Sequence, residues 1–213
     1  MDAGFWLRKW ENNEIGFHEG VPNALLVKYF SELGLAPGSR VFLPLCGKTR
    51  DLNWLLSEGY RVTGAELSEM AVQQWFASSG IEPVVAELAA LKVYSAPQID
   101  IFVGDIFSLS PALLGVVDAI YDRAALVALP ADMRSRYTAL LRALTDNAPQ
   151  LLVCFEYDQS AMDGPPFSID DEEVCRHYGD FYQLALRERH EMVGGLRGKC
   201  AARENIWLLK KKY

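Results

Sequence analysis

"RVFLPLCGKTRDLNWLLSEGYRVTGAEL", residues 40–67, predicts a strand, a helix and a second strand in succession. The apolar run Arg40–Leu45 follows a turn and is typical of a buried strand. The segment after it places leucines on one helical face and stops at Gly59. Tyr60–Leu67 is again apolar and strand-like. A strand, crossover helix and strand form the basic unit of a parallel sheet.

The same alternation continues along the chain. Ser68 is predicted to cap the second helix, Pro130 to precede a later one, and Ser168 to cap the helix after a Gly-Pro-Pro break. Further strands are expected in "IDIFVGDIF", "VVDAIYDR", "QLLVCFEYD" and a C-terminal hairpin. We therefore predict an α/β fold with a doubly wound, mostly parallel seven-stranded sheet and one antiparallel edge. Residues 1–213 are expected to form a single domain.

Composition excludes several classes of function. The 213 residues are 50% hydrophobic and 23% charged, with a formal net charge of −7. An acidic chain without a basic face is unsuited to nucleic acid, and no apolar run approaches the roughly 20 residues that span a bilayer. The four cysteines are far apart, which predicts neither a metal site nor disulfides and fits a reducing cytoplasm.

The N-terminal stretch "FWLRKWENNEIGFHEG" is unusually aromatic for a chain end. Trp6 and Trp10 are four residues apart, so a helix would place them on one face. Charged residues interrupt the stretch, so it does not resemble a secretory signal. Two interpretations stay open: a helix pinned to the core, or a helical lid (residues 1–20) over a ligand.

Ligands of doubly wound sheets bind beyond the carboxyl ends of the strands, at the point where strand order reverses. After the first strand, "PLCGK" lacks the glycines of a dinucleotide loop, and Phe42 stands where a P-loop requires glycine. Glu66 ends the second strand 19 residues after Gly47, about where such sites place an acid for a ribose diol. These features favour a ligand that contains a nucleoside but no diphosphate. S-adenosyl-L-methionine is the commonest cofactor of this kind.

After the third predicted strand, Asp105 and Ile106 could frame an adenine ring, the acid accepting from its amino group. Plainer alternatives exist for both acidic residues. Glu66 could be a solvent-facing strand end, and Asp105 a turn residue or the cap of a short helix. Taken together and in this order, the residues favour a methyltransferase.

Four stretches resemble the thiopurine S-methyltransferase family: "WENNEIGFHEG", "VFLPLCGKTRDLNWLLSEGYRVTGAELSE", "YDRAALVALP" and "YDQSAMDGPPFSI". The resemblance runs from Trp6 to about Lys210. It implies the Rossmann-like class I methyltransferase fold, a cytoplasmic monomer, and S-methylation of aromatic and heterocyclic thiols such as thiopurines. Bacterial members of the family are also associated with methylation of selenium and tellurium compounds and with tellurite resistance.

The resemblance also implies roles for individual residues. Phe17 matches the position that faces the methyl acceptor, and Arg123 lies where it could meet the methionine carboxylate or stabilise an acceptor thiolate. The alternative for Arg123 is an ion pair with Asp122 or a helix-end contact. No dedicated base is expected, because heteroaromatic thiols are already acidic. The family motifs place cofactor contacts at Trp10, Leu45, Glu66, Asp105, Ile106 and Arg123.

Two other functions remain open. The same cofactor motifs would serve a methyltransferase for a halide, thiocyanate or metalloid oxyanion. A non-catalytic nucleoside-binding protein would also carry them, but would leave the aromatic N-terminus and Arg123 without a role. The expected partner is a small aromatic thiol or chalcogen compound, with no nucleic acid and no membrane.

Overall fold

The computed structural model describes residues 3–212, over which the chain forms nine strands and seven α-helices. The strands are β1 Arg40–Pro44, β2 Arg61–Glu66, β3 Val84–Leu88, β4 Leu91–Ala96, β5 Ile99–Val103, β6 Ala119–Arg123, β7 Gln150–Tyr157, β8 Tyr182–Glu191 and β9 Ala202–Lys211. The α-helices are α1 Ala3–Glu11, α2 Ala24–Tyr29, α3 Asp51–Ser57, α4 Glu69–Ser79, α5 Pro111–Leu114, α6 Ala131–Thr145 and α7 Asp171–Tyr178. Short 3₁₀ helices cover Phe30–Leu33, Ile106–Ser108, Leu126–Ala128 and Gln159–Ala161. None of the described helices combines the length and the apolarity needed to cross a membrane.

The strands are ordered β3-β4-β5-β2-β1-β6-β7-β9-β8 in the sheet. β2 pairs in parallel with both β1 and β5, and β1 pairs in parallel with β6. Chain order therefore reverses at β1, which has β2 on one side and β6 on the other. This confirms the predicted α/β fold and places the switch point at the end of β1.

The prediction of seven strands is wrong, because it overlooked the antiparallel hairpin β3–β4. Leu88 pairs with Leu91, so the turn consists of Ala89 and Ala90, with Ala89 at a positive φ of 52°. Two-residue hairpin turns can usually be predicted from an Asn or Gly in the sequence, and this turn contains neither. β3 is also mostly exposed, so its sequence lacks the apolar run of a buried strand. β4 pairs antiparallel with β5, which gives the sheet a second antiparallel edge.

Two of the three predicted helix starts are correct. Ser68 caps α4, with its hydroxyl accepting from the Ala71 N–H at 3.3 Å, and Pro130 precedes α6. The predicted cap at Ser168 is wrong: Asp170 caps α7, accepting from the Glu173 N–H at 2.7 Å. The Ser168 hydroxyl instead pairs with the backbone of Tyr157 in β7, so it is committed to the strand.

The chain divides into two compact units, one extending to Ile120 and the other beginning at Tyr121. In the first unit, β1 and β2 are almost fully buried, as expected for central parallel strands covered on both faces. In the second unit, β9 pairs antiparallel with both β7 and β8. That the chain acts as a single domain stays a prediction.

Candidate functional site

The loop after β1 has an unusual backbone. Leu45 adopts a positive φ of 49°, followed at Gly47 by a φ of 53°. This conformation is rare for a bulky residue such as leucine and is strained by about 1–3 kcal/mol. The loop is held against the next strand, because the Cys46 N–H donates to the Ala65 carbonyl at 3.0 Å. A strained turn therefore lies at the switch point, where a ligand is expected.

Glu66, the last residue of β2, is buried, with 6% of its surface exposed. The Gly47 N–H donates to its Oε2 at 2.7 Å, and the Ser68 N–H donates to its Oε1 at 2.8 Å. The alternative of a solvent-facing strand end is therefore wrong. Burial raises the pKa of Glu66, while the hydrogen bonds from the Ser68 and Gly47 backbone act in the opposite direction.

The two backbone bonds hold the Glu66 carboxylate in one orientation without exhausting it. Each carboxylate oxygen has two lone pairs, and one N–H engages each oxygen here. The carboxylate can thus accept further hydrogen bonds from hydroxyl groups of a ligand. This is the chemistry that a ribose diol requires.

Aromatic residues of the N-terminal segment lie on this loop. Trp10 is buried at 6% exposure, and a Cβ on Gly47 would lie only 3.0 Å from its indole ring. Phe17 meets the Trp10 ring edge-on with centroids 5.4 Å apart. The structure thus brings together Trp10, Phe17, Gly47 and Glu66, three of which were predicted as site residues. A side chain at Gly47 would force the Trp10 ring to shift.

Asp105 and Ile106 follow β5, next to the end of β2. The Gly104 N–H donates to the Glu66 carbonyl at 2.9 Å, which ties this segment to Glu66. Asp105 is exposed and accepts from the Phe107 N–H at 3.0 Å, as the cap of the 3₁₀ helix Ile106–Ser108. The helix-cap alternative for Asp105 is thus observed, although the cap contact occupies only one of its oxygens. Ile106 is buried at 5% exposure.

In the second unit, Arg123 ends β6 and is half-buried. Its neighbour Asp122 is fully buried and accepts from the Tyr137 hydroxyl at 2.7 Å and the Leu126 N–H at 3.1 Å. Burial raises the pKa of Asp122 to about 6, against the lowering effect of those hydrogen bonds. Ala124 follows with a positive φ of 60°, so this strand also ends in a left-handed turn. The role of Arg123 stays a prediction.

One contact beside the site was not anticipated. The Asn23 N–H donates to the Asp51 carboxylate at 2.8 Å, and the Asn23 side chain caps α2 by accepting from Leu25 and Leu26. Asp51 is 1% exposed and begins α3, directly after the "PLCGK" loop. The segment that follows residues 1–20 is therefore anchored to the start of α3. An asparagine before a predicted helix is a sequence signal for a cap. Nothing in the sequence indicated that its backbone would bond to Asp51, 28 residues away.

A family model described as thiopurine S-methyltransferase matches residues 1–212. The chain belongs to the thiopurine S-methyltransferase family. Relatives named thiopurine S-methyltransferase include one from Xanthobacter autotrophicus, 57% identical over 99% of this chain and all of its own length. Another, from Teredinibacter turnerae, is 54% identical over 99% of this chain and 98% of its own length.

Solved structures similar to this thiopurine S-methyltransferase family member share its fold at low identity. One is 1,6-didemethyltoxoflavin-N1-methyltransferase from Burkholderia thailandensis, with S-adenosylhomocysteine bound (TM-score 0.68, 15% identity, 99% of this chain and 87% of that chain). Another is magnesium protoporphyrin IX methyltransferase from Synechocystis, also with S-adenosylhomocysteine (TM-score 0.65, 14% identity, 99% and 100%). The predicted family, class I fold and S-adenosylmethionine-dependent methyltransferase activity are thus confirmed.

Proposed function

We propose that this enzyme transfers a methyl group from S-adenosyl-L-methionine to the sulfur of aromatic and heterocyclic thiols such as thiopurines. The observation that carries the proposal is the buried Glu66 carboxylate, held by the N–H groups of Gly47 and Ser68 beside an aromatic N-terminal segment. Further support comes from the relatives named thiopurine S-methyltransferase. We further expect a monomer in the cytoplasm.

The described residues fit the cofactor. Glu66 would accept from the ribose hydroxyls, and the Gly47 N–H donates to Glu66, so it is not available to cradle a phosphate. The exposed Asp105 and the apolar Ile106 would take the adenine. Trp10 would cover the cofactor, because an indole ring attracts a cation by about 0.5–2 kcal/mol. When bound, S-adenosyl-L-methionine supplies a sulfonium methyl group for in-line transfer to sulfur.

The acceptor side requires orientation more than acid–base chemistry. Phe17, packed edge-on against Trp10, would present an aromatic surface to a flat acceptor. Holding the acceptor sulfur in line with the methyl group can lower the barrier by roughly 7 kcal/mol or more. Arg123 would favour the thiolate, since a nearby cation lowers the pKa of a thiol.

The N-terminal segment is proposed to act as a lid. Its support is the contact of Trp10 with Gly47, together with the anchor from Asn23 to Asp51 just beyond the segment. Limited proteolysis near residue 15 should slow when S-adenosylhomocysteine is added, because a closed segment is a poor protease substrate. A cleavage rate that is unchanged at saturating S-adenosylhomocysteine would contradict the lid.

The proposed activity is tested in two steps. Calorimetric titration with S-adenosylhomocysteine should show one saturable site. A methylation screen should then show turnover of thiophenols and thiopurines well above that of selenite, tellurite, halides and thiocyanate. Binding without turnover of any acceptor would favour a non-catalytic nucleoside-binding protein. Turnover confined to the oxyanions or halides would favour the alternative nucleophiles.

A further inference from the structure

A cleft rich in hydrogen-bond donors lies in the first unit, and none of the residues that line it is assigned to the cofactor or the acceptor. Its volume is about 510 Å³, and three segments form it: the stretch after α1, the loop entering α3, and one face of α4. None of the lining residues is acidic, although the chain as a whole has a net charge of −7. The lining residues are His18, Lys48, Arg50, Gln74, Ala77 and Ser78.

Two polar side chains of the cleft, Gln74 and Ser78, each accept a hydrogen bond from one of its cations. Lys48 Nζ donates to Gln74 Oε1 at 2.8 Å, and Arg50 Nη1 lies 3.5 Å from the Ser78 hydroxyl. That hydroxyl in turn donates to the Trp75 carbonyl at 3.0 Å. The remaining N–H groups of Lys48 and Arg50 therefore face a cleft that offers a ligand mainly donors.

The two cations are also not neutralised by the protein. Among residues 3–212, neither Lys48 nor Arg50 forms an ion pair with a carboxylate, and the other neighbour of Lys48 is the Trp10 ring at 5.8 Å. Asp51, next to Arg50 in sequence, is 1% exposed and its carboxylate accepts from Asn23. Unpaired cations lining one concave surface attract anions even when the net charge of the chain is negative.

We propose that this cleft binds a small oxyanion of the phosphate class. The planar guanidinium of Arg50 matches two phosphate oxygens, and Lys48 supplies a compact charge beside it. Lys48 bonds to Gln74 and Arg50 to Ser78, and all four of these residues line the cleft. The volume of about 510 Å³ exceeds a single phosphate, so it accommodates pyrophosphate or a phosphate that carries a small organic group.

Isothermal titration of the full chain tests the proposal, with sodium pyrophosphate and glycerol 3-phosphate as the two phosphate sources. Glycerol is the phosphate-free control, and ionic strength is held at about 0.15 M so that screening is constant. We expect saturable binding of at least one phosphate source and none of glycerol. Binding of pyrophosphate but not of glycerol 3-phosphate indicates an inorganic ligand. Binding of glycerol 3-phosphate indicates an organic phosphate. Both outcomes support the site.

Arg50→Gln should weaken binding by about tenfold or more, and Arg50→Lys should retain part of the affinity. Arg61→Gln is the matched control, because Arg61 is exposed at the start of β2 and does not line the cleft. Lys48→Met provides a second variant should Arg50→Gln fold poorly by circular dichroism. No saturable binding by the wild type, or an equal loss in Arg61→Gln, overturns the proposal. Neither cofactor nor methyl acceptor is needed, so the result is independent of the proposed methyl transfer.

Discussion

Two buried carboxylates, Glu66 at the end of β2 and Asp122 in β6, share a chemical type and a position near the end of a parallel strand. Burial raises the pKa of both. Their partners differ: Glu66 accepts from the backbone N–H groups of Gly47 and Ser68, whereas Asp122 accepts from the buried phenol of Tyr137 as well as from a backbone N–H. Glu66 retains 6% of its surface exposed, and Asp122 retains none.

The difference shows how one residue type can serve a ligand in one region and the fold in another. The carboxylate of Glu66 is held in position by Gly47 and Ser68, yet it stays reachable from outside. The carboxylate of Asp122 ties β6 to α6 through Tyr137 and fixes the turn after the strand through Leu126. Loss of the first should therefore affect ligand affinity, and loss of the second should affect stability.

The largest effect is expected for Glu66→Gln. The amide cannot accept from both backbone N–H groups, and it loses the negative charge that would accept from ribose hydroxyls. Since hydrogen bonds to a charged group contribute about 1.5–3 kcal/mol, affinity for S-adenosylhomocysteine should fall by about 10- to 100-fold. Calorimetric titration measures it, and Glu58→Gln, an exposed change at the end of α3, is the control. Unchanged affinity would remove Glu66 from the site.

Titration of the buried Asp122 carboxyl should make the free energy of unfolding depend on pH. Its pKa of about 6 in the folded state exceeds the value of about 4 in an unfolded chain, so the folded state binds more protons between these limits. The resulting stabilisation is present below pH 4 and is lost as pH rises through 6. The free energy of unfolding of the wild type minus that of Asp122→Asn should thus fall by roughly 2 kcal/mol from pH 4 to pH 7.

Urea unfolding at both pH values measures this difference. Asp132→Asn, an exposed change at the start of α6, should show no such pH dependence. Equal pH dependence in the wild type and Asp122→Asn would show that the Asp122 carboxyl does not titrate as its burial implies. A large loss of S-adenosylhomocysteine affinity in Asp122→Asn at pH 7 would show that Asp122, like Glu66, affects ligand binding.

Arg123 and Asp122 are adjacent in β6, and neighbouring residues of a strand point to opposite faces. Arg123 would then serve the ligand while Asp122 serves the fold. Arg123→Ala should lower kcat/KM for an aromatic thiol by about tenfold or more, since a charged hydrogen bond is lost, and Arg123→Lys should retain part of it. Steady-state kinetics beside Arg176→Ala, an exposed change on α7, checks the result. Wild-type kcat/KM and cofactor affinity in Arg123→Ala would eliminate the role.

The smallest effect is expected for Trp10→Phe. A smaller ring still covers Gly47 but attracts the cationic cofactor less, so affinity for S-adenosyl-L-methionine should fall by about threefold to tenfold. Trp54→Phe is the matched control, because Trp54 packs against Phe30 instead. Equal titration curves for Trp10→Phe and the wild type would show that Trp10 is only a packing residue.

Much of this architecture could be predicted because it depends on residues that are close together in the sequence. The strand–helix–strand order of residues 40–67, the cap at Ser68 and the acid at the end of β2 all follow from neighbouring residues. The hairpin β3–β4 escaped prediction because β3 is mostly exposed and the turn contains only alanines. The cap of α7 was misplaced because Ser168 bonds to a residue of β7 eleven positions away.

The sequence by itself determined the order of the elements other than the β3–β4 hairpin, the family and the presence of Glu66 at the switch point, because periodicity and motif spacing act over short distances along the chain. Only the tertiary structure decided that Glu66 is buried beneath Gly47 and Trp10, that Asp122 binds Tyr137, and that Lys48 and Arg50 share a cleft with α4. These contacts join residues 15 or more positions apart, so no local pattern specifies them and they form only when the chain folds.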